Sequence, residues 1–216
     1  MKKNVYLIPG MSASSLIFER IHFPEEDYHV HSLEWLLPLS KNEPLEQYVT
    51  RFAKLITEPN PILIGVSFGG IIAQELGKII DNSKVIIISS IKHEQEQRPL
   101  FQFLRKTKLY RLYSPNFVNT LEKLTYQLAP KKIKNSLILY RKYLPVRNPI
   151  YTQWAIRTFL NWQQSKNQNI MHFHGDKDPI LPVQYLSNFK VIPKGTHAMI
   201  LTQSTILQRE ILRSLA

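Results

Sequence analysis

The chain has 216 residues, and its 28 lysines and arginines outnumber 16 acidic residues, which gives a formal net charge of +12 with neutral histidines. Hydrophobic residues make up 44% of the sequence and charged residues only 20%, a composition that builds a sizeable core and excludes a disordered or fibrous chain. The length fits one domain. Because the sequence contains no cysteine, disulfide frameworks, thiolate zinc sites and cysteine nucleophiles are excluded.

The amino terminus carries too short an apolar run for a secretory signal. Only Val5 to Ile8 are apolar before Pro9 and Gly10 interrupt the run, whereas a signal peptide needs about 7–15 apolar residues. Elsewhere no window approaches the roughly 18 uninterrupted apolar residues of a membrane span. We therefore expect a cytoplasmic protein without a transmembrane segment.

Short β-branched runs alternate with amphipathic stretches of helical length. This alternation predicts an α/β fold with a mostly parallel, twisted sheet flanked by helices. Helices are predicted behind Pro44, from Ser67 to about Ile80, and from about Thr205 to Leu215. The predicted strands are Val5–Ile8, His29–Leu33, Ile62–Gly65, Lys84–Ser89, Asn169–Phe173 and Phe189–Ile192.

From residue 91 to about residue 162 the alternation stops, and the sequence reads as consecutive helices. Ser114-Pro115 and Asn148-Pro149 are typical pairs of an N-cap residue and a first-turn proline, so each predicts the start of a helix. We predict one domain over residues 1–216 with a helical cap, or lid, inserted at 91–162. The apolar and aromatic residues between 100 and 117 either line an acyl site or pack between the cap helices and the sheet.

Most of the positive charge lies in the same insertion. Residues 92–147 contain 13 lysines and arginines against three glutamates, so they carry +10 of the net +12. Such a surface is either simply solvated, or it attracts an anionic substrate or an acidic lipid surface. No nucleic-acid-binding motif accompanies the charge, so we expect no nucleic-acid partner.

Ser67 lies in a pattern typical of a nucleophile elbow. Residues 62–73 read ILIGVSFGGIIA, an apolar strand followed by G-x-S-x-G and an amphipathic helix. In such an elbow Gly65 and Gly69 give room to a strained turn that projects the serine hydroxyl above the sheet edge. The helix amino terminus favours developing negative charge. The alternative interpretation is a glycine-rich turn with an ordinary N-cap serine.

A serine hydroxyl is a weak nucleophile that needs a general base, and the base needs an orienting carboxylate. Residues 174–182, HGDKDPILP, follow a predicted strand and contain Asp176 and Asp178. Residues 193–199, PKGTHAM, follow the last predicted strand and contain His197. The candidate residues therefore occur in the chain order Ser, Asp, His.

Two histidines lie at the end of the predicted strand that leads into the acidic turn. His172, His174 and Asp176 are similar to part of a metal-binding pattern of metallo-β-lactamase-like enzymes, but Lys177 stands where that pattern needs histidine. We therefore expect no metal. Since residues two apart on a strand share one face, we predict that both histidines are structural.

The elbow, the acidic turn and the G-x-H turn together resemble the alpha/beta hydrolase family, in the form of an esterase-like serine hydrolase with a helical cap, and the resemblance covers essentially the whole chain. It implies Ser67 as nucleophile, His197 as general base and then acid, and Asp178 rather than Asp176 as the acid that orients His197. It also implies an oxyanion hole made of the backbone N–H groups of Phe68 and Met11.

Two features depart from the family pattern. Many relatives have His-Gly at the first turn, where this chain has Pro9-Gly10. The interval from Asp178 to His197 is shorter than usual, so we predict a helix there of only about Val183–Ser187.

The resemblance implies cleavage of a carboxylic ester or thioester through an acyl-enzyme intermediate. The substrate would be a small molecule, either neutral or anionic, and the triad needs no cofactor. The alternative enzyme is a lyase that uses Ser67 and His197 to abstract a proton from an anionic metabolite, since a fold does not determine the chemistry. The non-enzymatic alternative is a binding protein that has lost catalysis.

Overall fold

The computed structural model describes residues 2–112, 138–139, 141–164 and 169–215. Six strands form one sheet in the order β2-β1-β3-β4-β5-β6, and all five neighbouring pairs are parallel. The predicted sheet is therefore confirmed. The strands are β1 (Lys3–Ile8), β2 (Tyr28–Ser32), β3 (Ile62–Val66), β4 (Lys84–Ile88), β5 (Ile170–Gly175) and β6 (Lys190–Ile192).

Helices cover both faces of the sheet. Successive residues of β1 alternate between two buried clusters: Val5 and Leu7 pack with the last helix, and Tyr6 and Ile8 pack on the opposite side with the helices that follow β2 and β3. The helices are α1 (Leu45–Ala53), α2 (Phe68–Gly77), α3 (Pro99–Thr107), α4 (Pro149–Asn161), α5 (Met199–Thr202) and α6 (Ser204–Leu215). None of the described helices is long and apolar enough to cross a membrane.

The strand order reverses at β1. The chain passes from β1 outward to β2 and then returns to β3 on the other side of β1. In open parallel sheets ligands bind at such a reversal, beyond the carboxyl ends of the strands. The residues that follow β1 and β3 are Pro9 to Met11 and Ser67, so the fold places the predicted oxyanion turn and nucleophile at this position.

Within the described part of the segment between β4 and β5, the chain forms α3, α4, 3-10 helices at Glu94–Glu96 and Leu109–Leu112, and helical residues at 138–139 and 141–143, with no strand. The predicted start of α4 is confirmed: the Asn148 side chain accepts hydrogen bonds from Ile150 N at 2.9 Å and Tyr151 N at 3.2 Å. Ser114 and Pro115, which predict another helix start, lie outside the described residues.

The helix α4 belongs to the main core as well as to the segment predicted as a cap. Trp154 is fully buried, and its ring lies 4.1 Å from that of Tyr48 on α1. Its indole N–H donates to the Glu43 carbonyl at 3.0 Å. This packing fixes α4 against the loop that precedes α1.

Candidate active site

The backbone at Ser67 has the conformation of a nucleophile elbow. Ser67 has φ 53° and ψ −117°, in a region that residues with a side chain rarely adopt. A methyl group at Gly65 would overlap the Gly69 backbone, and one at Gly69 would overlap the Pro9 carbonyl oxygen. The two glycines are therefore required for the close packing of this turn against itself and against the end of β1.

Three predicted site residues, far apart in the chain, are joined by hydrogen bonds. His197 Nε2 lies 3.0 Å from Ser67 Oγ, and His197 Nδ1 lies 2.8 Å from Asp178 Oδ2. Because a carboxylate only accepts, Nδ1 carries the proton and Nε2 is free to accept the serine proton. Of the two candidate acids, Asp178 is the one that contacts His197. The Oδ1 atom of Asp176 has no hydrogen-bond partner among the described residues.

Close packing of two loops brings Asp178 and His197 together. A methyl group at Gly175 would overlap the Gly195 backbone, so the turn after β5 and the turn after β6 touch where both lack side chains. Between them the predicted helix is reduced to a 3-10 helix at Val183–Tyr185. The short interval thus suffices to connect the acid to the histidine.

Asp178 is held in place from several directions. Its Oδ1 accepts hydrogen bonds from Ile180 N at 2.8 Å and Leu181 N at 2.9 Å. Burial alone would raise the pKa of this carboxyl, but hydrogen bonds from His174 and His197 outweigh burial and hold the pKa well below its usual range. The side chain is therefore a carboxylate throughout the neutral range, and its negative charge lies directly beside His197.

His174 is the second histidine on this carboxylate. Its Nε2 lies 2.9 Å from the Leu181 carbonyl oxygen, which only accepts, so Nε2 carries the proton; the same N–H lies 3.2 Å from Asp178 Oδ2. His174 Nδ1 then accepts from His172 Nε2 at 3.2 Å. The sequence predicts that both histidines share one face of the strand but not that His174 contacts Asp178, although the two residues belong to the same motif.

The two residues whose amides are predicted to form the oxyanion hole line the same cavity as Ser67. Phe68 is the first residue of α2, and Met11 and Phe68 both line the cavity that contains Ser67. The Gly10 carbonyl accepts from Trp35 Nε1 at 3.1 Å, so the Met11 N–H of the same trans peptide points the opposite way. Among the hydrogen bonds of the described residues, none is donated by either amide.

Ser67 opens on a cavity of about 490 Å³ with a mostly apolar lining. Among the described residues, α3, α4 and the 3-10 helix at Leu109–Leu112 line this cavity, together with Ile180 and Leu181 of the acidic turn. Four of the apolar and aromatic residues between 100 and 117 line this cavity, whereas Leu100 and Phe103 are about half exposed. The four are Phe101, Leu104, Leu109 and Tyr110.

The burial of His172 predicts how the free energy of unfolding changes with pH. Burial, and then the neighbouring His174 and Lys92, lower the pKa of His172 well below its ordinary value. The folded protein therefore holds a neutral imidazole that takes up a proton on unfolding once the pH falls below about 6.5. We expect the free energy of unfolding to fall more steeply between pH 7 and pH 5 in the wild type than in His172→Gln, which keeps a donor for His174.

Urea denaturation at pH 5, 6 and 7 measures this difference. The exposed His22 provides the control, since His22→Gln should follow the wild-type curve. Parallel pH curves for the wild type and His172→Gln would contradict the prediction.

Comparisons with known proteins give similarity of structure only. No protein-family model matches the chain, and no curated protein matches its sequence. A bromoperoxidase from Bacillus anthracis superposes with a TM-score of 0.66 at 16% identity, over 100% of this chain and 92% of that one. A thermophilic esterase from Thermogutta terrifontis gives 0.65 at 15% identity, over 100% and 90%. A lipase-esterase related protein from Clostridium acetobutylicum gives 0.64 at 14% identity, over 98% and 93%.

These likenesses extend over nearly the full length of each chain, and together with the parallel sheet and the strand order they identify the architecture. The chain has the alpha/beta hydrolase fold.

Proposed function

We propose that the protein is a serine hydrolase that cleaves a carboxylic ester or thioester through an acyl-enzyme intermediate. The observation that supports this most directly is the continuous set of hydrogen bonds from Ser67 Oγ through His197 to Asp178, with Ser67 at an apolar cavity. Esterases among the proteins of similar structure also support this substrate class.

In the acylation step, Ser67 Oγ attacks the carbonyl carbon of the substrate while its proton passes to His197 Nε2. The carbonyl oxygen becomes an oxyanion, which the N–H groups of Phe68 and Met11 would stabilise. His197, now positively charged next to the Asp178 carboxylate, donates its proton to the departing alcohol or thiol. The carbon to leaving-group bond breaks and the acyl group remains on Ser67.

In the deacylation step, water takes the place of the leaving group. His197 Nε2 accepts a proton from this water, whose oxygen attacks the acyl carbon. Collapse of the second oxyanion breaks the bond to Ser67 Oγ, which recovers its proton from His197. The released product is a carboxylic acid, and the cycle requires no group beyond these side chains, two amides and water.

A panel of p-nitrophenyl esters and acyl thioesters tests the proposal. We expect turnover with an initial burst of p-nitrophenol, together with a mass increase equal to one acyl group in rapidly quenched enzyme. Activity toward neither class, together with consumption of a carboxylate-rich metabolite, would contradict it and favour the lyase alternative. Esters with apolar acyl chains should be the better substrates because the cavity lining is apolar.

A further inference from the structure

A second cavity, which we call the basic cavity, adjoins the cavity of Ser67. It has a volume of about 320 Å³, and Tyr110 lines both cavities. Tyr110 is held there by a hydrogen bond from Asn161 Nδ2 to its hydroxyl at 3.3 Å. Among the described residues, the basic cavity is lined by Lys41, Asn42, Tyr110, Arg111, Gln153 and Arg157.

The elements that carry these side chains are fixed by buried contacts. The Glu43 carboxylate accepts hydrogen bonds from Leu39 N at 2.8 Å and from Arg51 Nε at 2.9 Å, which closes the loop that contains Lys41. The Glu43 carbonyl in turn accepts from Trp154, so this loop is joined to α4, the helix of Gln153 and Arg157. Two sides of the basic cavity, the loop that contains Lys41 and the helix α4, are therefore held together by a buried hydrogen bond.

The charge in the basic cavity is not cancelled by the described acids. The described residues of its lining include three cations and no carboxylate. Over the residues that the structure describes, no carboxylate oxygen lies within 4.0 Å of the charged atoms of Lys41, Arg111 or Arg157. The acidic residue nearest to Lys41 along the sequence is Glu43. Its carboxylate is buried and lies 2.9 Å from the Arg51 guanidinium.

We propose that the basic cavity binds phosphate on the leaving group of the substrate, which would then be an acyl ester or thioester of a phosphorylated alcohol or thiol. This inference rests on the proposed function. Guanidinium groups match phosphate oxygens in pairs, and three cations suit a phosphate dianion better than a single carboxylate. The apolar acyl group would occupy the Ser67 cavity, and the leaving group would extend past Tyr110 into the basic cavity.

Two thioesters with one acyl chain test the proposal: hexanoyl-coenzyme A, whose thiol carries phosphates, and hexanoyl-N-acetylcysteamine, whose thiol carries none. In the triple variant Lys41→Gln/Arg111→Gln/Arg157→Gln, we expect kcat/KM for the phosphorylated substrate to fall by about 100-fold, since hydrogen bonds to charged groups are individually strong. We expect kcat/KM for the neutral substrate to remain at the wild-type value.

A second triple variant, Lys54→Gln/Lys106→Gln/Lys108→Gln, is the matched control. It removes the same charge from exposed residues that do not line the basic cavity, so it should leave both substrates near wild type. Lys41→Gln alone, at an exposed residue, should produce a smaller loss for the phosphorylated substrate only. An equal loss for both thioesters, or the same loss in the control variant, would overturn the proposal.

A binding measurement distinguishes failure of the phosphate-site proposal from failure of the proposed hydrolase function. If the wild type hydrolyses neither thioester, calorimetry with coenzyme A reports on the basic cavity directly. Binding that is lost in the first triple variant and kept in the control would support the phosphate site without hydrolysis. Absence of binding to the wild type would overturn the proposal.

Discussion

Replacement of Ser67 by alanine is expected to lower kcat for ester hydrolysis by at least about 1,000-fold, because Ser67 Oγ forms the bond to the acyl group in the proposed mechanism. His197→Ala should cost a similar factor, since Ser67 Oγ would then have no base at 3.0 Å. The double variant should be no slower than either single variant, because the two side chains act in one step.

Initial rates with a p-nitrophenyl ester measure these losses. Ser32→Ala, at an exposed serine on the edge strand β2, is the control and should retain wild-type activity. Retention of more than a tenth of the activity in Ser67→Ala would contradict the assignment of the nucleophile.

Asp178→Asn is expected to lower kcat by about 10,000-fold through the protonation of His197 rather than through its position. The N–H groups of Ile180 and Leu181 donate to Oδ1, so the asparagine carbonyl oxygen would remain there and its NH₂ would take the place of Oδ2. An NH₂ group facing His197 Nδ1 favours the tautomer with the proton on Nε2. That tautomer cannot accept the proton of Ser67.

Nitrogen NMR of His197 in Asp178→Asn reports the tautomer, and ester hydrolysis reports the rate. Asp176→Asn is the matched control, since Asp176 lies in the same turn but makes no described contact with His197. A greater loss of activity in Asp176→Asn than in Asp178→Asn would contradict the choice of acid.

The parts of the fold that local sequence determines were predictable. Short runs with β-branched residues predicted six strands, and the structure contains all six with small shifts of their ends. The glycines around Ser67 indicated the elbow because its tight turn requires residues without side chains. Asn148 with Pro149 indicated the start of α4, which is also a local signal, because an N-cap side chain accepts hydrogen bonds from the amides two and three residues ahead.

Contacts that depend on how the chain turns, or on how distant segments pack together, were not predictable from spacing. His174 contacts the Asp178 carboxylate because the chain turns back directly after β5. The sequence shows only that the two residues share a motif. Trp154 belongs to the main core because α4 packs on α1, although its segment reads as a cap. The basic cavity likewise joins Lys41 to Arg157, which no pattern in the sequence connects.

Reaction with a fluorophosphonate, followed by peptide mass spectrometry, tests the central claim most directly. A phosphonyl adduct should form on Ser67 in the wild type and should be absent in both Ser67→Ala and His197→Ala, because attack on phosphorus requires a serine oxygen activated by its base. Lack of labelling in a protein that hydrolyses no ester, or an adduct on Ser67 that persists in His197→Ala, would contradict a functional Ser67–His197–Asp178 triad.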